Sequence, residues 1–177
     1  MATDFSFENV FRAPSTATVL ASYFDPDHLA TQDTLAELTD RVVVESQDDG
    51  PTLRCTWRVA HLKPLPLFAR PFVAGGRLSY LETMTWRRAD DAIDLTVQPE
   101  ILGGRVSITA VYQLSKVREG EILRRYKGTV SVNIRLLSSK IEKAILSKFE
   151  EAMPMMTACT QGWLDKTAGR TAGESPP

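Results

Sequence analysis

The sequence predicts an α+β fold: an antiparallel strand meander closed by a long C-terminal helix, with two short helices after the first strand. Three observations carry that prediction. From residue 40 to residue 134 the apolar residues recur with a period of two. The turns that interrupt them are mostly short and rich in Gly, Asp and Pro, as an antiparallel meander requires. From Ser139 onward the period changes to three and four, which is helical.

Each element has a local reason. Asp4 to Phe11 alternates, with Phe5, Phe7 and Asn9 on one face, and predicts the first strand. Ala13-Pro14-Ser15-Thr16 opens a helix, since Pro suits a first turn and Ser15 or Thr16 can cap its free N–H groups. Asp25-Pro26-Asp27 ends it, and a second short helix follows near 26–35. Arg41–Ser46 reads as a strand, and Gln47 to Pro51 as a turn. The next strands place on one face Leu53, Cys55, Trp57 and Val59, then Leu78, Tyr80, Glu82, Met84 and Trp86, then Ile93, Leu95 and Val97. Val106, Ile108, Ala110, Tyr112 and Leu114 follow, and the last strand presents Ile122, Arg124, Tyr126, Gly128, Val130, Val132 and Ile134. In the final helix Ser139 with Glu142 fits a capping box. Its apolar stripe runs through Ile141, Ile145, Phe149, Ala152, Met156, Cys159 and Trp163, with a kink or break expected near 150–154 at Pro154. Thr167 to Pro177 is small and polar and predicts a frayed tail, so the expected organisation is one domain over 1–166 and a flexible tail over 167–177.

Composition narrows the function classes. With 43% apolar and 24% charged residues the chain is ordinary globular material, and a net charge of −1 offers no bulk attraction to nucleic acid. That average hides an asymmetry. Residues 1–50 hold ten acids and two bases, whereas residues 51–177 hold 19 bases and 12 acids. Two regions of opposite sign within one domain predict internal complementarity, or else a basic face for an anionic surface. No apolar run approaches the ~18 residues of a membrane span, and Met1 to Phe7 lack the basic and apolar regions of a secretory signal. Cys55 and Cys159 make no disulfide framework, so a reduced, cytoplasmic chain is the expectation.

A strand, two short helices, six strands and a long C-terminal helix, over about residues 4–166, resembles the START-like (SRPBCC, helix-grip) superfamily, which includes the Bet v 1 proteins. The chain more narrowly resembles the DUF2505 type, a bacterial family of START-like proteins of unknown function. The residues that carry this are Phe5-Ser6-Phe7 leading to Ala13-Pro14-Ser15, the Tyr23-Phe24-Asp25 helix end, and Leu137-Ser138-Ser139-Lys140-Ile141-Glu142. The resemblance implies a curved sheet wrapped around the long helix, with a cavity between them. The implied partner is a hydrophobic small molecule, of lipid or sterol-like kind, bound and carried. Polyketide aromatases and cyclases belong to the same superfamily, as do interaction modules of the co-chaperone type, and these are the alternatives.

Particular residues fit such a cavity. Gly76, Gly103, Gly104 and Gly128 can relieve sheet bends, and Met153, Met155 and Met156 are flexible enough either to fill core gaps or to adapt to ligands. The expected wall is Trp57, Tyr80, Met84, Tyr112, Tyr126, Met153 and Met156. Glu82 and Arg124 interrupt apolar strand faces. A buried charge is costly unless paired, so the two are expected either to form an ion pair that fixes a ligand's polar end, or to face solvent near strand ends. The connection 61–76 carries three prolines, with Leu65, Leu67, Phe68, Phe72 and Val73 flanked by Lys63, Arg70 and Arg77. Those apolar residues must bury against the core, a second subunit, or a lipid surface and ligand. The resemblance favours the last, making the loop a gate with peripheral membrane contact.

Enzyme signatures are mostly missing. The sequence has no Gly-x-Ser-x-Gly elbow, no P-loop and no dinucleotide fingerprint. His28, His61, Cys55 and Cys159 lack zinc spacing, so neither a metal nor a cofactor is expected. His28 reads as a surface helix residue, Cys55 and Cys159 as core, and Asp25, Asp27 and Asp33 as turn and cap residues. His61, Glu82 and Tyr126 are the acid–base candidates of the cyclase alternative.

Overall fold

A computed structural model describes residues 2–62, 77–100, 104–134 and 138–173. The elements are β1 (Ala2–Arg12), α1 (Thr16–Ser22), α2 (Pro26–Leu35), β2 (Leu38–Asp48), β3 (Thr52–His61), β4 (Ser79–Arg87), β5 (Ala92–Pro99), β6 (Val106–Arg118), β7 (Glu121–Val132) and α3 (Ser138–Gly173). One antiparallel sheet runs in the order β1-β7-β6-β5-β4-β3-β2. Strands adjacent in sequence are adjacent in space from β2 to β7, and β1 returns to lie beside β7.

The alternation read from the sequence sets the register. Phe5, Phe7, Asn9 and Phe11 of β1 stand opposite Gly128, Tyr126, Arg124 and Ile122 of β7. All of them belong to the inner face, the side on which α3 packs. Gly128 is needed there. A Cβ on it would meet the Thr109 carbonyl oxygen at 2.4 Å and the Phe5 ring at 2.6 Å, so only glycine lets the Phe5 ring cross β7 at this point.

Caps fix the two short helices. Ser15 Oγ accepts from the Thr18 N–H, and Asp25 Oδ1 accepts from the N–H groups of Asp27 and His28, with Pro26 in the first turn. α3 lies against β7, β1, α1 and α2. Of the kink or break expected at Pro154 there is no break: the helix runs through that residue and on to Gly173. Pro154 still has a local effect: it has no N–H to offer the carbonyl four residues back, so this turn is one backbone hydrogen bond short.

Glu142 corrects the expected capping box. Its side chain is buried and reaches away from the helix end. Oε1 accepts from the Val132 N–H at 3.1 Å and Oε2 from the Thr3 hydroxyl at 2.7 Å. The carboxylate thus ties the start of α3 to β7 and β1. The charge asymmetry resolves as internal complementarity: Arg125 pairs with Glu8, Arg88 with Asp48 and Arg77 with Asp40. These exposed pairs are screened by solvent and contribute little to stability.

Candidate functional site

The inner face carries two polar groupings with opposite character. The first centres on Arg124. It stands between Asn9 of β1 and Leu114 of β6 in the ladder, and only 2% of it is exposed. Its Nη1 donates to the Tyr23 hydroxyl at 2.5 Å, and its Nη2 to Asn9 Oδ1 at 2.6 Å. From α3, Thr157 Oγ1 lies at 3.4 Å and the Met153 sulfur at 3.7 Å. The rings of Phe11 and Tyr112 lie 5.1 and 5.4 Å from the guanidinium carbon. Nε has no hydrogen-bond partner, and no carboxylate pairs with Arg124 among the described residues. Arginine stays charged at any accessible pH, so this is a buried cation held by neutral groups alone.

Aromatic rings continue from it. Tyr23 stacks on Tyr112 at 5.0 Å, Tyr112 meets Tyr126 at 4.4 Å, and Tyr126 meets the edge of Phe5 at 5.0 Å. Phe5 in turn meets Phe149 of α3 at 5.5 Å. Burial pushes the phenols of Tyr112 and Tyr126 well above the ordinary tyrosine value, so both remain neutral hydroxyls.

The second grouping is an ion triad. Arg41 of β2 binds Asp33 of α2 through two parallel bonds of 2.7 and 2.8 Å, and its Nη1 reaches Glu82 of β4 at 3.3 Å. Its guanidinium also lies over the Trp57 ring at 5.5 Å. Burial raises the Glu82 pKa, and Arg41 opposes that shift without cancelling it. Here the one guanidinium is matched by two carboxylates.

The expected Glu82–Arg124 ion pair does not form. Both residues face inward, but the rung through Glu82 crosses Val97 and Ile108 to reach β7 at Val130, six residues beyond Arg124. Each charge finds local partners instead. Asp33 is therefore a buried ion-pair partner, not the turn or cap residue its sequence suggests.

Of the expected wall, Trp57, Tyr80, Met84, Tyr112 and Tyr126 are buried in one inner-face cluster. Met153 packs against the same cluster and stays half-buried, as does Met156 on the next turn, while Met155 points to solvent. Leu65, Leu67, Phe68, Phe72 and Val73 lie outside the described residues. Sequence reasoning missed Tyr23, Asn9 and Thr157 as partners of Arg124. Asn9 was within reach, being the polar residue between Phe7 and Phe11 on that face.

Two histidines differ from each other. His28 is not on the surface: it is fully buried between Tyr23 and Trp163, with Nε2 3.1 Å from Thr160 Oγ1. Burial lowers its pKa, although the Ser22 backbone and Asp25 pull the other way, so it is neutral at pH 7. His61 ends β3 with its ring 5.9 Å from Tyr80, and burial lowers its pKa too. No hydrogen bond links His61, Glu82 and Tyr126 among the described residues. Nor do those residues contain a cluster of His, Cys, Asp and Glu able to hold a metal ion, or a helix long and apolar enough to cross a membrane.

The same architecture occurs in solved structures of low sequence identity. The Zhui aromatase/cyclase from Streptomyces sp. R1128 matches with a TM-score of 0.67 at 11% identity, over 99% of this chain and 100% of that one. Ara h 8.0201 matches at 0.61 and 13% identity, over 94% and 99%. A START superfamily protein from Mycobacterium smegmatis matches at 0.58 and 12% identity, over 93% and 98%. These likenesses establish a START/Bet v 1-like helix-grip fold. No curated protein matches the sequence. The model of one family, the protein of unknown function DUF2505, matches residues 8–164, and the chain belongs to that family.

Proposed function

We propose that the protein binds a hydrophobic small molecule, of lipid or sterol-like class, between the inner face of the sheet and α3. The observation that carries this reading is the state of the N-terminal half of α3. Ile141, Ile145, Leu146, Phe149 and Met153 pack toward the sheet core yet stay half-buried, and so do Phe5, Phe7 and Val97 opposite them. Further along, where α1 and α2 lie against α3, Thr160 and Leu164 are buried. Apolar surface on both walls thus remains in contact with solvent along the N-terminal half of the helix. A ligand that covers it gains roughly 25 cal/mol per Å² buried.

Aromatic rings and methionines suit this task, the rings as rigid walls and the thioethers as adaptable ones. Glu82 or Arg124 would fix the polar end of the ligand. The segment 61–76, with Leu65, Leu67, Phe68, Phe72 and Val73 between basic residues, would serve as gate and membrane-docking element by its sequence character. Denaturing extraction of the purified chain followed by mass spectrometry tests the reading. A hydrophobic molecule released in stoichiometric amount supports it. A protein that is empty, and stays empty after incubation with a total lipid extract, contradicts it.

A further inference from the structure

We propose that the ligand is an amphipathic carboxylic acid whose carboxylate binds Arg124 in place of the Met153 thioether. This rests on the reading that the inner face binds a hydrophobic molecule, and it specifies that molecule's polar end.

The argument starts from what Arg124 lacks. A guanidinium presents five N–H donors and is best matched by a carboxylate, which takes two of them in parallel. The triad across the sheet has that match, with Arg41 on Asp33 at 2.7 and 2.8 Å. Arg124 is more deeply buried and has only a phenol, an amide oxygen and a threonine hydroxyl, with Nε left over. Removing a cation from water without a counter-ion is costly, so an anion brought to this point recovers a large interaction.

The side from which it arrives is set by the neighbours. Tyr23 and Asn9 satisfy the guanidinium from α1's end and from β1, and Phe11 and Tyr112 lie against it. Toward α3 its contacts are long, 3.4 Å to Thr157 and 3.7 Å to the Met153 sulfur. A thioether is a weak acceptor on a flexible side chain. Met153 is half-buried, so solvent reaches it, and it precedes Pro154 in the turn that is short of one backbone hydrogen bond. Swinging Met153 aside would open the guanidinium edge toward the half-buried apolar residues of α3 and β1. The opposite pole offers an acid no free partner, because the Arg41 guanidinium is already taken by Asp33 and Glu82.

The test uses the full chain, with N-phenyl-1-naphthylamine as a neutral fluorescent occupant displaced by decanoate or by decan-1-ol at pH 8. In a purely apolar cleft the ionised acid binds worse than the alcohol, because its carboxylate loses water. With Arg124 as its partner, decanoate displaces the dye at a concentration about tenfold lower than decanol does. In Arg124→Met the dye still binds and the order reverses. Equal displacement by the wild type, or a preference for decanol, overturns the carboxylate proposal while leaving hydrophobic binding intact. The carboxylate proposal also falls if Arg124→Met keeps the preference for decanoate. No dye binding by the wild type overturns both readings together. The wild-type comparison decides the matter even if Arg124→Met does not fold.

Discussion

Two buried arginines on one sheet have opposite surroundings. Arg41 holds α2 and β4 to β2 through two carboxylates, and every part of its charge is matched within the chain. Arg124 sits deeper, touches only neutral groups and keeps an unpartnered Nε. A matched ion cluster serves the fold, whereas Arg124 has no counter-ion among the described residues. On the proposed reading the difference separates a structural charge from a ligand-facing one, and substitution can break or sharpen the separation.

The largest expected effect is at the matched site. Arg41→Met strands Asp33 and Glu82 in a low-dielectric environment, and the expected loss is about 3–5 kcal/mol of unfolding free energy by urea titration. Arg124→Met has the smaller effect on stability. It leaves a tyrosine hydroxyl and an asparagine oxygen short of a donor, but it also removes an uncompensated buried charge, for a net change of about 1 kcal/mol or less. If the two variants lose equal stability, the distinction between the sites is wrong.

The third prediction concerns His28, which is buried beside Tyr23 on the Arg124 side. Its folded pKa lies below its unfolded value of about 6.5, so its stabilising contribution is complete above that pH and is lost as the pH falls through it. Thermal unfolding of the wild type between pH 7.5 and pH 5.5 loses more stability than His28→Leu does over the same window. His61 has the same sign and leaves a residual slope in the variant.

The smallest effect is at Glu82, whose pKa is raised by burial against the opposing pull of Arg41. A raised carboxyl favours the protonated fold, so its contribution declines as pH rises from the unfolded value through the folded one. Glu82→Gln therefore gains on the wild type between pH 5 and pH 8 in the same unfolding assay. A variant that instead loses ground as pH rises would show that Arg41 stabilises the ionised form.

Much of the fold is legible from residue order. Period-two alternation assigns the inner face of β3 to β7 correctly, including Trp57, Glu82, Tyr112, Arg124 and Tyr126. What alternation cannot carry is which inward residues meet across the sheet. Charge alone matches Glu82 with Arg124, whereas register sets their rungs six positions apart along β7. Arg41 escapes notice because β2 is a bulged edge strand, exposed along most of its length, with no periodic signal to mark one inward side chain. His28 is misplaced by sequence because α2 is short and only weakly amphipathic, so its buried side depends on where α3 lies. Glu142 matches the spacing of a capping box, yet tertiary contacts to Val132 and Thr3 take its carboxylate elsewhere.

The central claim is an occupiable cleft between α3 and the inner face. It is tested most directly by titrating N-phenyl-1-naphthylamine into the wild type and into Met153→Trp, whose larger ring would occupy the place proposed for the ligand beside Arg124. The account predicts one saturable site in the wild type and its loss in Met153→Trp, with the unfolding midpoint little changed. Absence of saturable emission in the wild type, or undiminished binding in a folded Met153→Trp, would contradict it.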